Sequence, residues 1–271
     1  MSIAGRVRPG AGRSLGRFRG RVLGAELRSL GRELGLAALG GLVYFLIRGG
    51  VVDRADEALG RARDVMALER RLGIFWEPEM QGWILESRFL IDVFNGVYFW
   101  LHMPLIAGMG LWLFWRKRAV YRVIRNAFVG SALVGLLIYA TLPLAPPRFF
   151  PELGFVDTMA LYSEANYQAQ EVGIFVNPYA ALPSLHFGWA LLLGVALWLA
   201  RPGGRWNPVF ALGAVLIPLG QLFAIVLTGN HFLIDAAAGA GAAGFGLAAA
   251  QYWRQRRDRI EGQANADDDV R

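Results

Sequence analysis

Long apolar runs limit the possible folds of this chain more than any other feature of its sequence. Each run is close to the ~20 residues that a helix needs to cross a bilayer. They lie at about 89–115, 123–143, 183–200, 208–227 and 232–252, after a weaker run, Leu34–Ile47, that Arg48 interrupts. Only 18% of the 271 residues are charged, which is less than a soluble domain of this length carries. The pattern predicts an all-α fold, a polytopic membrane helical bundle of about six transmembrane helices.

The positive charge of the chain is concentrated at its two ends and in one loop. The net charge is +7, and residues 1–32 hold eight arginines against one acid, Glu26. Clusters placed in this way flank membrane helices on the cytoplasmic side, so we expect no nucleic-acid partner. We predict a basic cytoplasmic tail at 1–32, a membrane domain at 33–253 and a charged cytoplasmic tail at 254–271. The chain has no cysteine, which excludes disulfides, thiolate catalysis and cysteine-bound metals.

Residues 53–88 differ from the apolar runs. Acids and arginines alternate there with Ala, Leu, Val and Met at helical spacing. This pattern predicts an interfacial amphipathic helix that lies on the membrane surface, followed by a loop around Trp76-Glu77-Pro78.

The arginines also predict the topology. The most basic connection runs from Arg116 to Arg125, so we expect it in the cytoplasm. Both termini and the loop with Arg201 and Arg205 then lie in the cytoplasm as well, whereas the long loop 144–182 lies outside. We expect a multi-pass integral protein of the plasma membrane.

Two of the three histidines lie at the leading ends of apolar runs, on the extracytoplasmic face of this topology. His231 and Asp235 are four residues apart, so on a helix their side chains can meet. A carboxylate that binds one imidazole nitrogen fixes the tautomer and leaves the other nitrogen nucleophilic. We predict that His231 attacks phosphorus to give a phosphohistidine and that Asp235 orients it. His186 would protonate the leaving alkoxide at this extracytoplasmic active site.

Three further residues are predicted to bind the phosphate. Pro183 suits the first turn of a helix, so the N–H groups that follow it can point at an anion, and the Ser184 hydroxyl adds a donor. Arg148 follows a proline-terminated helix at the same face and can hold phosphate in a bidentate manner. Asn230 completes the set in a tight turn just before His231.

Each of these residues alone also has a structural interpretation. A lone histidine in a membrane protein is more often a packing residue or an interfacial anchor. Ser184 alone could simply cap a helix, and Arg148 alone could be an interfacial residue. The combination favours a site, because a carboxylate inside an apolar run, such as Asp235, requires a partner.

Polar residues also share one face of the run at 89–115. Asn95, Tyr98 and His102 lie at helical spacing there. We expect a structural hydrogen-bond network at these residues in preference to a substrate contact.

The two histidine motifs resemble signature motifs of the type 2 phosphatidic acid phosphatase superfamily. Leu182-Pro183-Ser184-Leu185-His186-Phe187-Gly188-Trp189 is similar to the second motif, in the form of the inositol phosphorylceramide synthase-like branch, and His231-x-x-x-Asp235 to the third. The resemblance spans roughly residues 70–250. It implies a six-helix bundle, His231 as nucleophile, Asp235 as its orienter and His186 as acid. It also implies a reaction that needs no metal and no cofactor.

The sequence departs from that superfamily at positions that usually carry cations. Thr141 stands where the first motif has a lysine, and Arg148 is followed by Phe149 instead of proline. Ala224 and Ile225 stand where phosphatases have Ser-Arg. We infer a pocket with less positive charge, suited to a phosphodiester or lipid-linked substrate more than to a dianionic monoester.

The predicted function is that of a metal-independent lipid phosphatase or phosphotransferase with a histidine nucleophile. It would transfer a phosphoryl or phospho-headgroup from a lipid phosphate ester to water or to an alcohol acceptor such as inositol. Its partners would be the membrane, a phospholipid or lipid-linked phosphate, and an inositol-like acceptor. The alternatives are a lipid phosphate phosphatase of the general superfamily and a non-catalytic membrane protein that has kept the fold.

Overall fold

The computed structural model describes residues 28–35, 38, 40–42, 54–162 and 178–269. The chain divides into two units, Met1–Tyr44 and Phe45–Arg271. In the first unit, residues 28–35 are helical. The rest of the predicted basic tail, much of the run Leu34–Ile47 and the part of the outer loop at 163–177 lie outside the described residues.

Helices make up the second unit. They are α1 (Ala55–Leu72), α2 (Glu77–Leu85), α3 (Arg88–Gly96), α4 (His102–Arg116), α5 (Arg118–Thr141), α6 (Thr158–Tyr162), α7 (Leu185–Ala200), α8 (Asn207–Leu227) and α9 (Leu233–Asp269). The described part of the chain is 84% helical and contains no strand. The all-α prediction is therefore confirmed.

Three helical stretches are long and apolar enough to cross a membrane. They are α5, Gly204–Leu227 around α8, and Leu233–Gln263 within α9. The pair α3 and α4 adds a fourth if its two bent halves count as one span, whereas α7, with 16 residues, is shorter. These helices support a membrane protein, but the predicted number of six spans is not confirmed by the residues that the structure describes.

The apolar run predicted at 89–115 is not one straight helix. A π-helical segment, Val97–Leu101, separates α3 from α4, and the two halves are bent by 47°. Wider turns of this kind interrupt the regular hydrogen-bond ladder and produce sharp kinks. Tyr98 and His102, within and just after this break, contact α7 through the ring of His186.

The helix predicted within 53–88 is present as α1, but the loop predicted around Trp76-Glu77-Pro78 is corrected, because Glu77 and Pro78 begin a second helix, α2. α1 ends at Gly73, whose φ of 70° is the left-handed conformation that closes helices, and α2 starts four residues later. The buried face of α1 packs on one apolar cluster, formed with Leu144, Ala145, Phe150, Phe155, Ala181 and Phe232. This helix therefore covers the loop before α7 and the residue before α9.

Helices α7 and α9 pack with their backbones in contact. A Cβ atom at Gly239 would overlap the main-chain carbonyl of Ser184, and one at Gly188 would overlap the carbonyl of Gly239. The Ser184 N–H donates to the Asp235 carbonyl at 2.9 Å, so the first turns of the two helices lie side by side. This contact brings together the two chain segments that carry His186 and His231.

Candidate active site

The two predicted catalytic histidines lie close together, with His231 buried and His186 half-buried. The rings of His186 and His231 have centroids 6.1 Å apart and are inclined by 50°. His231 is 5% exposed, and Asp235 is fully buried. The sequence-predicted pair His231 and Asp235 is thus brought together with His186, at the starts of α9 and α7.

The Nδ1 atom of His231 has two oxygen neighbours. The main-chain carbonyl of Ala181 lies at 2.9 Å and Oδ2 of Asp235 at 3.5 Å. Because a carbonyl oxygen can only accept, Nδ1 carries the proton and Nε2 carries the lone pair. Asp235 Oδ2 accepts a shorter bond, 2.9 Å, from the Phe232 N–H. The nearer orienting group for His231 is therefore the Ala181 carbonyl, for which the sequence carries no signal.

Arg148 is held beside the segment that leads to His231. Its main-chain N–H donates to the Gly229 carbonyl at 2.9 Å, and its Nη1 donates to Oδ1 of Asn230. Its Nε lies 3.4 Å from Oδ2 of Asp157, a partner that the sequence did not reveal. An arginine fixed by an amide and a carboxylate has a defined direction but a reduced net charge.

Asn230 uses both ends of its amide within the protein. Oδ1 accepts from Arg148, and Nδ2 donates to Oγ1 of Thr228 at 2.7 Å. The hydrogen bond to Asn230 therefore fixes the direction of the Arg148 side chain. Direct phosphate binding by Asn230 stays a prediction.

Ser184 caps the helix that carries His186. Its Oγ accepts from the Phe187 N–H at 3.4 Å, and the residue is fully buried. Capping is the structural interpretation expected of a serine before a helix. Binding of phosphate by the Ser184 hydroxyl stays a prediction.

The third histidine joins the other two. His186 stacks on Tyr98 with centroids 4.5 Å apart, and the ring of His102 lies 4.8 Å from that of His186. Asn95, expected in the same network, instead exchanges two hydrogen bonds with Thr158, at 2.8 and 3.0 Å. The Nε2 atom of His102 is buried and has no hydrogen-bond partner among the described residues. The predicted face is therefore divided, and two of its three residues lie against His186.

Two acids that sequence reasoning missed contact the start of α9. Glu77 Oε1 accepts from the Leu233 N–H at 2.8 Å, and Glu69 Oε1 accepts from the Ile234 N–H at 2.9 Å. Burial, together with the neighbouring Glu77, raises the pKa of Glu69 to about 9, and burial also raises the pKa of Glu77. A sequence signal existed for Glu69, because it continues the buried stripe of Ala58, Ala62 and Met66 on α1.

The positions that depart from the superfamily motifs supply no cation. Thr141 is exposed at the end of α5 and donates its hydroxyl to the Leu137 carbonyl at 2.8 Å. Ala224 and Ile225 are fully buried in the core. In the described part of the chain, no group of three His, Cys, Asp or Glu side chains has the arrangement of a metal site.

Comparison with known proteins places these residues in one family. The family model described as the PAP2 superfamily matches residues 63–249, more than half of the chain and all of the site residues named above. No significant match was found among curated proteins or solved structures. Members of the superfamily are phosphatases that act on lipid phosphates. The chain belongs to the PAP2 superfamily.

Proposed function

We propose that this protein is a membrane enzyme that transfers a phosphoryl or phospho-headgroup from a lipid phosphate ester to water or to an alcohol such as inositol. The observation that carries the proposal is the geometry of His231. Its Nδ1 is bound to the Ala181 carbonyl at 2.9 Å, its ring lies 6.1 Å from that of His186, and Asp235 lies beside it. This arrangement leaves Nε2 as the nucleophilic atom.

The first step is attack by Nε2 of His231 on phosphorus. The P–N bond forms as the P–O bond to the lipid alcohol breaks, and His186 gives its proton to the departing alkoxide. The phosphorylated ring is cationic, because Nδ1 keeps its proton. The Ala181 carbonyl and the Asp235 carboxylate stabilise that charge.

The second step regenerates the enzyme. Water or an alcohol hydroxyl attacks phosphorus, His186 takes the proton of the attacking hydroxyl, and the P–N bond breaks with its electron pair returning to Nε2. A phosphohistidine formed from a phosphodiester carries the headgroup, whereas one formed from a monoester carries phosphate alone. No metal enters either step.

Substrate preference follows from the charge around Arg148. This residue is the candidate phosphate-binding cation, and Asp157 already neutralises part of its charge. The superfamily lysine position is Thr141. A site with this little positive charge suits a phosphodiester, with one negative charge, better than a dianionic monoester.

We place the reaction at the extracytoplasmic face of the plasma membrane, with both termini cytoplasmic. The support is the arginine pattern of the loops. The side-by-side starts of α7 and α9 support a common membrane face for the two histidines.

The family finding favours a second candidate, a lipid phosphate phosphatase that uses water alone. A non-catalytic protein that has kept the fold is the third, favoured by the missing cations at Thr141 and Ile225.

One experiment separates these three functions. Release of phosphate or headgroup is measured in detergent micelles from a panel of phospholipid monoesters and diesters, with and without inositol. Wild type is compared with His231→Asn, whose amide N–H can still donate to the Ala181 carbonyl but which lacks Nε2. A new inositol phosphate ester, formed together with free lipid alcohol and dependent on His231, supports the transferase. Free phosphate alone supports the phosphatase, and equal results for both proteins would overturn the catalytic proposal.

A further inference from the structure

The proposed reaction leaves two buried acids without a role, Glu69 near the end of α1 and Glu77 at the start of α2. We propose that these two glutamates are positioning residues for the active site, because they fix the first turn of α9 and with it His231 and Asp235. The inference rests on the proposed function, since the position of His231 matters only if His231 reacts.

The first turn of α9 has an unusual set of acceptors. The start of a helix leaves about four main-chain N–H groups without an intrahelical partner. Here Phe232 donates to Asp235, Leu233 to Glu77 and Ile234 to Glu69, at 2.8 to 2.9 Å. The next N–H, that of Asp235, donates to the Phe232 carbonyl at 3.1 Å. Three successive N–H groups are therefore bound by three different carboxyl groups.

Two of these three carboxyl groups come from far away in the chain. Glu77 lies 156 residues before Leu233, and Glu69 lies 165 residues before Ile234. Asp235 is the only one of the three that lies in the helix it caps, and it accepts from one N–H group. The two glutamates therefore add a tertiary constraint that ties α1 and α2 to the nucleophile-bearing segment.

This constraint also determines where phosphate can bind. The positive end of a helix dipole normally attracts an anion. At α9 the N–H groups of that end are already bound by carboxyl groups, so they are not free to bind phosphate. The substrate phosphate is thereby directed to Arg148 and to the first turn of α7, where the cap is the neutral Ser184.

The protonation of the pair agrees with a positioning role. Glu69 faces Glu77 on α2 and Asp235 on α9, and Asp235 in turn faces His231. The raised pKa of Glu69, about 9, keeps it protonated at neutral pH, so that the pair does not place two negative charges side by side. The pKa of Glu69 in the folded state lies above its ordinary value. The contribution of protonated Glu69 to stability is therefore complete at low pH and is lost as pH rises through about 9.

Substitution of each acid tests the proposal, with Glu79→Ala as the matched control. Glu79 lies on the same helix as Glu77 but is exposed. Glu69→Gln is the conservative variant, since its amide oxygen can accept from the Ile234 N–H and its side chain stays neutral at every pH. We expect Glu69→Ala and Glu77→Ala to lower kcat by about 100-fold with KM changed less than about threefold. Glu69→Gln and Glu79→Ala should stay within about threefold of wild type.

The pH profile distinguishes positioning from simple structural support. Wild-type kcat should fall above about pH 9, as Glu69 loses its proton and two buried negative charges repel each other. Glu69→Gln should lack this alkaline fall. A wild-type level of kcat in Glu69→Ala or Glu77→Ala, or an unchanged alkaline fall in Glu69→Gln, would overturn the proposal.

Amide hydrogen exchange of the segment 231–236 gives a readout that needs no substrate. Exchange there should accelerate in Glu69→Ala and Glu77→Ala but not in Glu79→Ala. If wild type acts on no lipid of the panel, the proposed function fails, and the exchange rates still decide whether the glutamates hold this turn. Unchanged exchange in both alanine variants would overturn the inference whatever the activity.

Discussion

The imidazole Nδ1 of His231 lies 2.9 Å from the main-chain carbonyl of Ala181, a residue 50 positions earlier in the chain. The carboxylate of Asp235 lies farther from the same atom, at 3.5 Å. Ala181, in the segment before α7, thus contributes directly to the tautomer of His231. The main chain of Ala181 is itself held in place, because its N–H donates to the Leu144 carbonyl at 3.2 Å.

The first prediction concerns Asp235→Asn. In a serine-protease triad the same change lowers kcat by about 10⁴-fold, because the histidine adopts the wrong tautomer. Here the Ala181 carbonyl keeps the proton on Nδ1, and the asparagine Oδ1 can still accept from Phe232. We therefore expect a smaller loss, about 10²-fold in kcat, from the missing negative charge. Steady-state kinetics of Asp235→Asn and His231→Asn, measured side by side, check this prediction. Equal losses of kcat in the two variants would show that Asp235, and not the Ala181 carbonyl, sets the tautomer of His231.

The second prediction concerns Asp157→Asn. The change removes a negative charge 3.4 Å from Arg148 Nε, while an asparagine oxygen can still accept from the Ala160 N–H as Asp157 does at 3.0 Å. We expect KM for a phosphate monoester to fall by about two- to fivefold, since part-exposed ion pairs of this kind contribute up to about 1 kcal/mol. KM for a phosphodiester should fall less. Equal KM values in wild type and variant for both substrates would show that Asp157 does not limit the charge of Arg148.

The third prediction concerns His102, whose ring packs on His186. His102→Phe keeps a ring of similar shape and should retain kcat within about threefold. His102→Ala leaves a gap beside His186 and should lower kcat by about 10-fold or more, through misplacement of the acid. Kinetics of the two variants check the assignment. A loss in His102→Phe as large as in His102→Ala would instead show that the imidazole nitrogen takes part in the reaction.

The fourth prediction concerns the contact between α7 and α9. A methyl group at Gly239 would overlap the Ser184 carbonyl, whereas Gly241 on the same helix has open space around its Cβ position. We expect Gly239→Ala to destabilise the protein by about 1–3 kcal/mol, and Gly241→Ala to be neutral or slightly stabilising. Thermal unfolding in detergent measures both changes. Equal unfolding temperatures for the two variants would be incompatible with the close packing described above.

Local patterns in the sequence predicted the parts of the site that lie within one helix. The four-residue spacing of His231 and Asp235, and the proline and serine before His186, are visible in consecutive residues. The number of apolar runs between the two histidines also predicted that both lie at the same end of the bundle. The structure agrees with this, because the starts of α7 and α9 are hydrogen-bonded to each other.

Contacts between distant segments were not predictable from such patterns. The Ala181 carbonyl has no sequence signal, since every residue has a carbonyl group. Glu77 resembled an ordinary acid of an amphipathic segment. The spacing of Glu69 on α1 indicated burial, but only the fold places either acid against α9. The π-helical break after α3 was hidden because Val97–Leu101 is as apolar as its neighbours.

The most direct test of the central claim is to trap the intermediate on His231. Wild type and His231→Asn are mixed with a lipid labelled in its phosphate, quenched within one turnover, and analysed for label bound to the protein. A phosphohistidine is labile in acid and stable in alkali, so the two quench conditions identify the bond. We expect acid-labile label at residue 231 in wild type and none in His231→Asn. Turnover by wild type without protein-bound label, or equal labelling of both proteins, would contradict this expectation.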